Sequence, residues 1–299
     1  MQPGIIALVA LSAVFHVAWN VRLKTAGDPL RTATLGMLAA SIVIVPIGLV
    51  AWWLSGRASL STEGIALGIA SGVVETVYFI LLAGAYRRGD LSVVYPLARG
   101  SALLLLVVVG VVGLGERLRV PSWIGVAALL AGFLALQRPW MVLGWLRDRG
   151  AGGDRRSTEA IAFALATGVA IAAYTSIDRI GTRLIEPFEY ATILWVTGAL
   201  LLFVWVSLVA GGGLLSGGRD VVRHAAVGGL LTLGGYLLIL VALSVAPLTA
   251  VAPLRESATV AAATWGAVRL GEAADRGDAA RRIGASAVIV AGAVLLAFG

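Results

Sequence analysis

The chain has 299 residues, of which 59% are hydrophobic and 13% are charged, and its net charge is +7. Soluble proteins carry roughly 25% charged and about 45–50% apolar residues, so this composition excludes a soluble globular domain. Cysteine is absent and histidine occurs only as His16 and His224. Disulfides and thiolate chemistry are therefore excluded, and we expect neither a metal site nor a cofactor.

Apolar segments recur along the chain, and each is long enough, or nearly so, to cross a bilayer as a helix of about 20 residues. They lie at 4–23, 31–54, 64–86, 91–113, 121–137, 159–178, 188–210, 222–245, 248–268 and 282–298. The sequence therefore predicts an all-α integral membrane protein with ten transmembrane helices.

The most polar stretch, 138–157, divides these segments into five and five. We predict an N-terminal five-helix repeat over 1–137, a polar cytoplasmic linker over 138–157 and a C-terminal five-helix repeat over 158–299. A duplicated unit with an odd number of spans inserts its second copy upside down. The prediction is therefore two inverted five-helix repeats around a central cavity, an arrangement that suits alternating access.

Sequence similarity between the halves supports this duplication. The segment that begins Leu91-Ser-Val-Val and contains Pro96 aligns with the segment that begins Leu248-Thr-Ala-Val and contains Pro253. Further on, a Gly-Glu pair at 115–116 aligns with another at 271–272.

Loop charges predict the orientation. Of the 23 basic residues, 16 lie in the odd-numbered loops, 5 in the even-numbered loops, and Arg99 and Arg255 lie within spans. By the positive-inside rule the odd loops are cytoplasmic. We therefore expect a multi-pass protein of a bacterial-type inner membrane with both termini periplasmic. The net positive charge is explained by this orientation, and no nucleic-acid partner is expected.

Glu75 lies at the centre of the third span. Gly64, Gly68 and Gly72 precede it as a ridge of small residues, and Glu75 continues that ridge three residues later. The ridge is expected to meet a neighbouring helix, so the carboxylate points into the bundle. A buried carboxylate is costly in hydrocarbon. Either it forms a structural ion pair with Arg99, or it binds a substrate amine or a proton.

Pro96 and Pro253 occupy matching places in the two halves. A proline within a helix removes one backbone hydrogen bond and favours a kink. We predict that both prolines are hinges that line the cavity.

Charged residues follow both prolines. Arg99 lies one helical turn after Tyr95, on the same face, and Arg255 and Glu256 are adjacent. Adjacent helical residues point about 100° apart, so at least one of Arg255 and Glu256 should face the cavity. We therefore include Tyr95, Arg99, Arg255 and Glu256 among the candidate substrate-binding residues.

Aromatic and polar side chains add further candidates. The first span carries a stripe spaced i, i+3 and i+4, formed by His16, Trp19 and Asn20. Three more candidates are tyrosines within the third, sixth and eighth spans, namely Tyr78, Tyr174 and Tyr236. Asp178 lies where the sixth span ends, and the interface with water is expected to solvate it.

These motifs resemble a known family. The chain looks like EamA-type transporters of the drug/metabolite transporter superfamily in three features: the opening His16-x-x-Trp19-Asn20-x-x-x-Lys24, the proline segments Tyr95–Gly100 and Pro253–Ser257, and the two Gly-Glu exits. The resemblance spans the whole chain. It implies secondary transport, often the export of amino acids and related metabolites, through a central cavity between inverted repeats.

The residues leave the substrate open. Arginines and glutamates suit a zwitterion, and the tyrosines and tryptophans suit an aromatic or apolar side chain. We expect a small-molecule substrate, contact with membrane lipid and possible coupling to protons. The alternative is a flippase or transporter for lipid-linked or phosphorylated sugars, because some relatives take such substrates. A membrane-embedded enzyme is not expected, because the sequence offers no nucleophile–base pair or catalytic metal motif.

Overall fold

A computed structural model describes residues 2–24, 26–56, 60–88, 91–137, 155–209, 213–214, 218–255 and 275–298, and over these ranges the regular structure is entirely helical. The helices are α1 Pro3–Lys24, α2 Pro29–Leu54, α3 Thr62–Arg88, α4 Leu91–Val108 with the π-helical turn Val109–Gly113, α5 Val120–Gln137, α6 Arg155–Gly181, α7 Pro187–Val209, α8 Gly218–Val245, α9 over 248–255 and α10 Arg276–Phe298.

A helix covers the described part of every predicted segment. Among the described residues, five helical segments are long and apolar enough to cross a membrane: Pro29–Leu54, Thr62–Ala85, Thr158–Gly181, Pro187–Val209 and Gly218–Val245. Four shorter apolar stretches lie in α1, α4 with its π turn, α5 and α10. The all-helical, multi-pass character is confirmed. The ten-span inverted repeat stays a prediction.

Local chemistry explains where α2 begins and ends. The side chain of Asp28 caps its first turn by accepting a hydrogen bond from the Arg31 amide at 3.2 Å, and Pro29 fills the first helical position. After the helix, Gly56 takes a positive φ of 81°, which a residue without Cβ adopts at little cost. Local contacts therefore mark both ends of the helix.

The chain folds into two compact units. Unit one comprises Met1–Ile6, Gly84–Ala172 and Pro247–Gly299, and unit two comprises Ala7–Ala83 and Ala173–Ala246. Each unit therefore takes helices from both halves of the sequence. The boundaries proposed for the two repeats concern ancestry rather than these packing units, and they stay a prediction.

In unit two, α2 packs against α7 and α8, and glycines allow the closest approaches. A Cβ on Gly229 of α8 would collide with the backbone of Gly36 of α2. A Cβ on Gly68 would meet Ile193 and one on Gly72 would meet the backbone of Leu194, both on α7. The predicted contact of the small-residue ridge of α3 with a neighbouring helix is thus confirmed, and that neighbour is α7.

Unit one is built around the contact between α5 and α10. Gly292 lies so close to the backbone of Gly125 and Leu129 that a side chain there would not fit. An apolar cluster extends this contact to α4 and consists of Leu103, Val107, Val126, Leu129 and Ile289.

Candidate functional site

A continuous chain of aromatic rings runs through unit two. Its rings are, in order, Trp19, Phe79, Tyr78, Tyr174, Tyr236 and Trp195, with successive centroids 5.0–6.2 Å apart. All six side chains are buried. The structure therefore brings together four predicted site residues, and it adds Phe79 and Trp195, which the sequence analysis did not single out.

Asp178 lies beside this aromatic chain, and our interpretation of it as a residue solvated at the interface is wrong. Its exposed fraction is 1%. Oδ1 accepts hydrogen bonds from Ser71 Oγ at 2.5 Å and from Tyr190 OH at 3.0 Å, and Oδ2 accepts one from Tyr236 OH at 2.5 Å. Helix α6 continues to Gly181, so Asp178 belongs to the packed part of the helix rather than to its solvated end.

The sequence contained a signal for this position. Asp178 follows Tyr174 by four residues, so both lie on one face of α6. Because Tyr174 was expected to face the bundle, the same argument, had it been applied, would have placed Asp178 there. Ser71 and Tyr190, by contrast, carry no distinguishing pattern, and only the packing of α3 and α7 against α6 reveals them.

Glu75 is buried in α3, with an exposed fraction of 4%. It lies on the same face of α3 as Ser71, which donates to Asp178, and Tyr78, whose ring packs against Tyr174. Glu75 and Asp178 therefore both lie along the aromatic chain of unit two. Arg99 lies in unit one and Glu75 in unit two, and their pairing stays a prediction.

The polar stripe of α1 is also buried. Ser12 donates a hydrogen bond to the carbonyl of Gly235 at 2.6 Å, which joins α1 to α8 one residue before Tyr236. His16 and Trp19 lie one and two turns further along α1, and both are buried. The third member of the predicted stripe, Asn20, lies in α1, but its side chain is outside the described residues.

Unit one holds the two predicted arginines. Arg99 in α4 and Arg255 in α9 are both buried, as is Pro253. The side chains of Tyr95 and Pro96, and the whole of Glu256, lie outside the described residues. The roles of the prolines as hinges and of all these residues in substrate binding stay predictions.

A further carboxylate in unit one was not among the candidates. Glu116 accepts hydrogen bonds from the backbone amides of Leu248 at 2.6 Å and Thr249 at 2.9 Å, and from Thr249 Oγ1 at 2.8 Å. It therefore caps the first turn of α9, whose amides have no partner within the helix. The π turn at the end of α4 helps to place it, because the Glu116 amide donates to the carbonyl of Gly110 at 2.9 Å.

A cleft lies between α1, α2, α7 and α8 within unit two. Trp19, Met37 and Trp195 line it, and the room inside suffices for about one water molecule. An amino acid does not fit there as it stands. Entry of a substrate at this point requires the surrounding helices to separate.

The comparison with protein families decides the broader assignment. The family described as "EamA-like transporter family" matches residues 158–298. The chain belongs to this family. It is therefore a multi-pass membrane transporter of the drug/metabolite type, as the motifs of the first span, the proline segments and the Gly-Glu exits indicated.

Two further proteins are similar to this EamA-family chain. An uncharacterized protein of Sinorhizobium fredii (strain NBRC 101917 / NGR234), y4nH, is 36% identical over 90 residues, which cover 28% of this chain and 77% of that protein. A crystal structure of a protein that is 18% identical matches with a TM-score of 0.70, covering 99% of this chain and 98% of that chain. This second likeness supports the fold alone.

Proposed function

We propose that this EamA-family protein is a secondary-active exporter of amino acids or related small metabolites that works by alternating access. The observation that carries the proposal is the buried combination of Glu75 with the tyrosines of unit two. An ionisable side chain within a membrane helix costs at least about 2.5–3.5 kcal/mol on insertion scales, so it requires a partner or a purpose. A transporter of charged solutes supplies that purpose.

The chemistry of these residues favours a substrate with an ammonium group. The Glu75 carboxylate provides the opposite charge, and Tyr78, Tyr174 and Tyr236 offer faces for cation–π contact or for stacking with an aromatic side chain. The sequence also offers Arg99 and Arg255, both buried in unit one, as candidate substrate-binding residues, because a guanidinium group pairs well with a carboxylate. The sequence has no phosphate-binding loop for ATP, so the energy for accumulation against a gradient would come from an ion gradient or from a partner protein.

Substrate binding can be tested without knowing the substrate in advance. The purified protein would be screened by thermal shift against the twenty proteinogenic amino acids and a set of sugar phosphates. Counterflow in proteoliposomes would then be measured with each compound that raises the melting temperature. Stabilisation by one or more amino acids together with counterflow supports the proposal. Binding of sugar phosphates alone, or translocation of a lipid-linked sugar alone, would favour the flippase alternative.

The role of Glu75 is tested by Glu75→Gln, with Glu63→Gln on the exposed first turn of the same helix as control. If Glu75 binds substrate or a proton, its variant stays folded and loses net transport. If Glu75 only balances a buried arginine, the variant is destabilised by roughly 3–5 kcal/mol. Retention of wild-type transport in Glu75→Gln would refute a role in binding.

The proposed location is a bacterial-type inner membrane with both termini periplasmic. A C-terminal reporter that is active only in the cytoplasm should therefore be silent, and one that is active only in the periplasm should work. Strong activity of the cytoplasmic reporter would contradict this orientation but would leave the family assignment intact.

A further inference from the structure

Asp178 connects four helices of unit two. It projects from α6 and receives hydroxyl groups from α3, α7 and α8, contributed by Ser71, Tyr190 and Tyr236. Both carboxylate oxygens take part. A buried carboxylate at the meeting point of four helices can respond to a bound ion and transmit that response to all of them. The nature of the ion follows from the spacing and chemistry of the donors.

The spacing of the oxygens favours a proton over a metal ion. The Ser71, Tyr190 and Tyr236 oxygens lie 2.5–3.0 Å from the Asp178 oxygens, which is the distance of a direct O–H···O bond. A cation would have to enter between atoms that already touch. Among the described residues no three acidic or histidine side chains group to hold a metal.

The donors are also suited to a change of protonation. Each is a hydroxyl, and a hydroxyl both donates and accepts hydrogen bonds. When a proton binds to Asp178 Oδ1, the new O–H can donate to the Tyr190 oxygen. The Tyr190 hydroxyl can then donate to the carbonyl of Leu67, which lies 3.4 Å away. The cluster can therefore hold the carboxylate or the acid without leaving a buried donor unsatisfied.

The effect of a proton would reach the aromatic chain directly. Tyr236 donates to Asp178 and its ring packs against Tyr174 and Trp195. Glu75 lies one helical turn after Ser71, which donates to Asp178, and three residues before Tyr78, whose ring packs against Tyr174. The proposed ammonium site at Glu75 and the Asp178 cluster therefore share one face of α3 and the aromatic chain, so a change of charge at one is expected to affect the other.

From these contacts we propose that Asp178 is a proton-binding site, and that its protonation is coupled to the binding of substrate at Glu75. The first half of this proposal concerns the protein alone, whereas the second rests on the proposed transport function. Four helices carry the titratable and charged groups around the cluster. They are Glu75 on α3, Tyr174 on α6 with Arg179 next to Asp178 in the chain, Tyr190 on α7 and Tyr236 on α8.

Infrared difference spectroscopy tests proton binding directly. The full-length protein would be reconstituted in lipid and titrated with acid in the absence of substrate and sodium. Protonation of a buried carboxylate produces a carboxylic C=O band. We expect a band that appears on acidification, is lost in Asp178→Asn and is retained in Glu189→Gln. Glu189 is the matched control, since it is buried in the same unit and accepts a hydrogen bond from Ser55.

Isotope labelling keeps the test decisive even if Asp178→Asn does not fold. In wild-type protein with 13C-carboxyl aspartate the band should shift, whereas 13C-carboxyl glutamate should leave it in place. A band that shifts with labelled glutamate, or that is lost in Glu75→Gln and kept in Asp178→Asn, would assign the proton to Glu75 and overturn the proposal. A spectrum that responds to added sodium chloride but not to acid would overturn it as well.

Coupling is tested in proteoliposomes with an amino acid that shows counterflow. Asp178→Asn should retain exchange of that amino acid and lose its accumulation driven by a pH gradient, while Glu189→Gln retains both. Accumulation unchanged in Asp178→Asn would overturn the coupling. If the wild-type protein carries no amino acid, the proposed function fails, but the infrared result still decides whether Asp178 binds a proton.

Discussion

Two carboxylates, one in each compact unit, are satisfied by protein donors in contrasting ways. Asp178 in unit two receives three hydroxyl groups from three other helices. Glu116 in unit one receives two backbone amides and one hydroxyl, all from the first two residues of α9. The contrast lies in what the donors can do when the acceptor changes.

Backbone amides can only donate, whereas hydroxyls donate and accept. Glu116 therefore fixes the start of α9, because the amides it binds have no alternative partner in the first turn of a helix. The hydroxyls around Asp178 can reverse their direction. A carboxylate thus acts as a fixed helix cap in unit one, at Glu116. In unit two, at Asp178, a carboxylate is surrounded by donors that can reverse their direction.

The largest loss of stability is expected when the Asp178 carboxylate is removed. Asp178→Ala removes a charged acceptor from three buried hydroxyls, and a hydrogen bond to a charged group contributes about 1.5–3 kcal/mol. We expect a loss of at least about 3 kcal/mol in the free energy of unfolding, measured by denaturation in detergent. The control Glu63→Ala, on an exposed turn of α3, should change stability by less than about 0.5 kcal/mol. Equal stability of the two variants would show that the hydrogen bonds of Asp178 do not stabilise the fold.

The next prediction concerns the fit of Glu116 against the π turn. A Cβ on Gly110 would collide with Thr249 Cγ2 and come within 2.9 Å of Glu116 Oε2. Gly110→Ala should therefore push the carboxylate away from α9 and destabilise the protein by about 1–3 kcal/mol. Gly113→Ala lies in the same π turn and would meet only Val109 Cγ1 at an ordinary 3.5 Å. A similar loss in both variants would mean that the π turn, rather than the carboxylate contact, is sensitive.

The difference between the hydroxyl donors of Asp178 and the backbone amide donors of Glu116 is tested by a matched pair of amide substitutions. In Asp178→Asn the new NH₂ group can donate to a tyrosine hydroxyl that turns around. In Glu116→Gln the NH₂ group faces an amide or hydroxyl donor of α9, and the two amides cannot turn around. We expect Glu116→Gln to cost roughly 1–2 kcal/mol more than Asp178→Asn. Equal costs for the two substitutions would show that the hydroxyl donors are no more adaptable than the amides.

The sequence predicted the positions of the helices well because the hydrophobicity of each segment follows directly from its residue types. The described helices follow the predicted segments within a few residues at most ends, and the inward placement of Glu75, Tyr174 and Tyr236 is confirmed by their burial. These predictions needed only the cost of polar groups in hydrocarbon and the period of a helix.

The contacts between distant residues were less accessible to sequence reasoning. Glu116 was noted only as part of a repeated Gly-Glu pair, yet it binds residues that follow it by more than 130 positions. The partners of Asp178 come from helices whose relative rotation no local pattern encodes. Burial was also misjudged for Asp178, because its distance from the apparent end of the span was given more weight than its helical face.

The smallest effect is expected from loss of the single hydroxyl among the donors to Glu116. Thr249→Val preserves the shape of the side chain and removes the hydrogen bond from Oγ1, which is 2.8 Å long, while the two amides still hold the carboxylate. The expected cost is about 0.5–1.5 kcal/mol in unfolding experiments. Thr232→Val is the matched control, because the Thr232 hydroxyl binds only a carbonyl of its own helix, that of Gly228, among the contacts described.

A double-mutant cycle separates this hydrogen bond from the packing of the methyl groups. If Thr249 acts through Glu116, the cost of Thr249→Val should fall when Glu116 is already glutamine, whereas the cost of Thr232→Val should stay the same. A cost for Thr249→Val that is unchanged in the Glu116→Gln background would mean that the hydroxyl contributes nothing through the carboxylate. In that case the cap on α9 would consist of the two backbone amides alone, and the contrast between fixed and reversible donors would become sharper still.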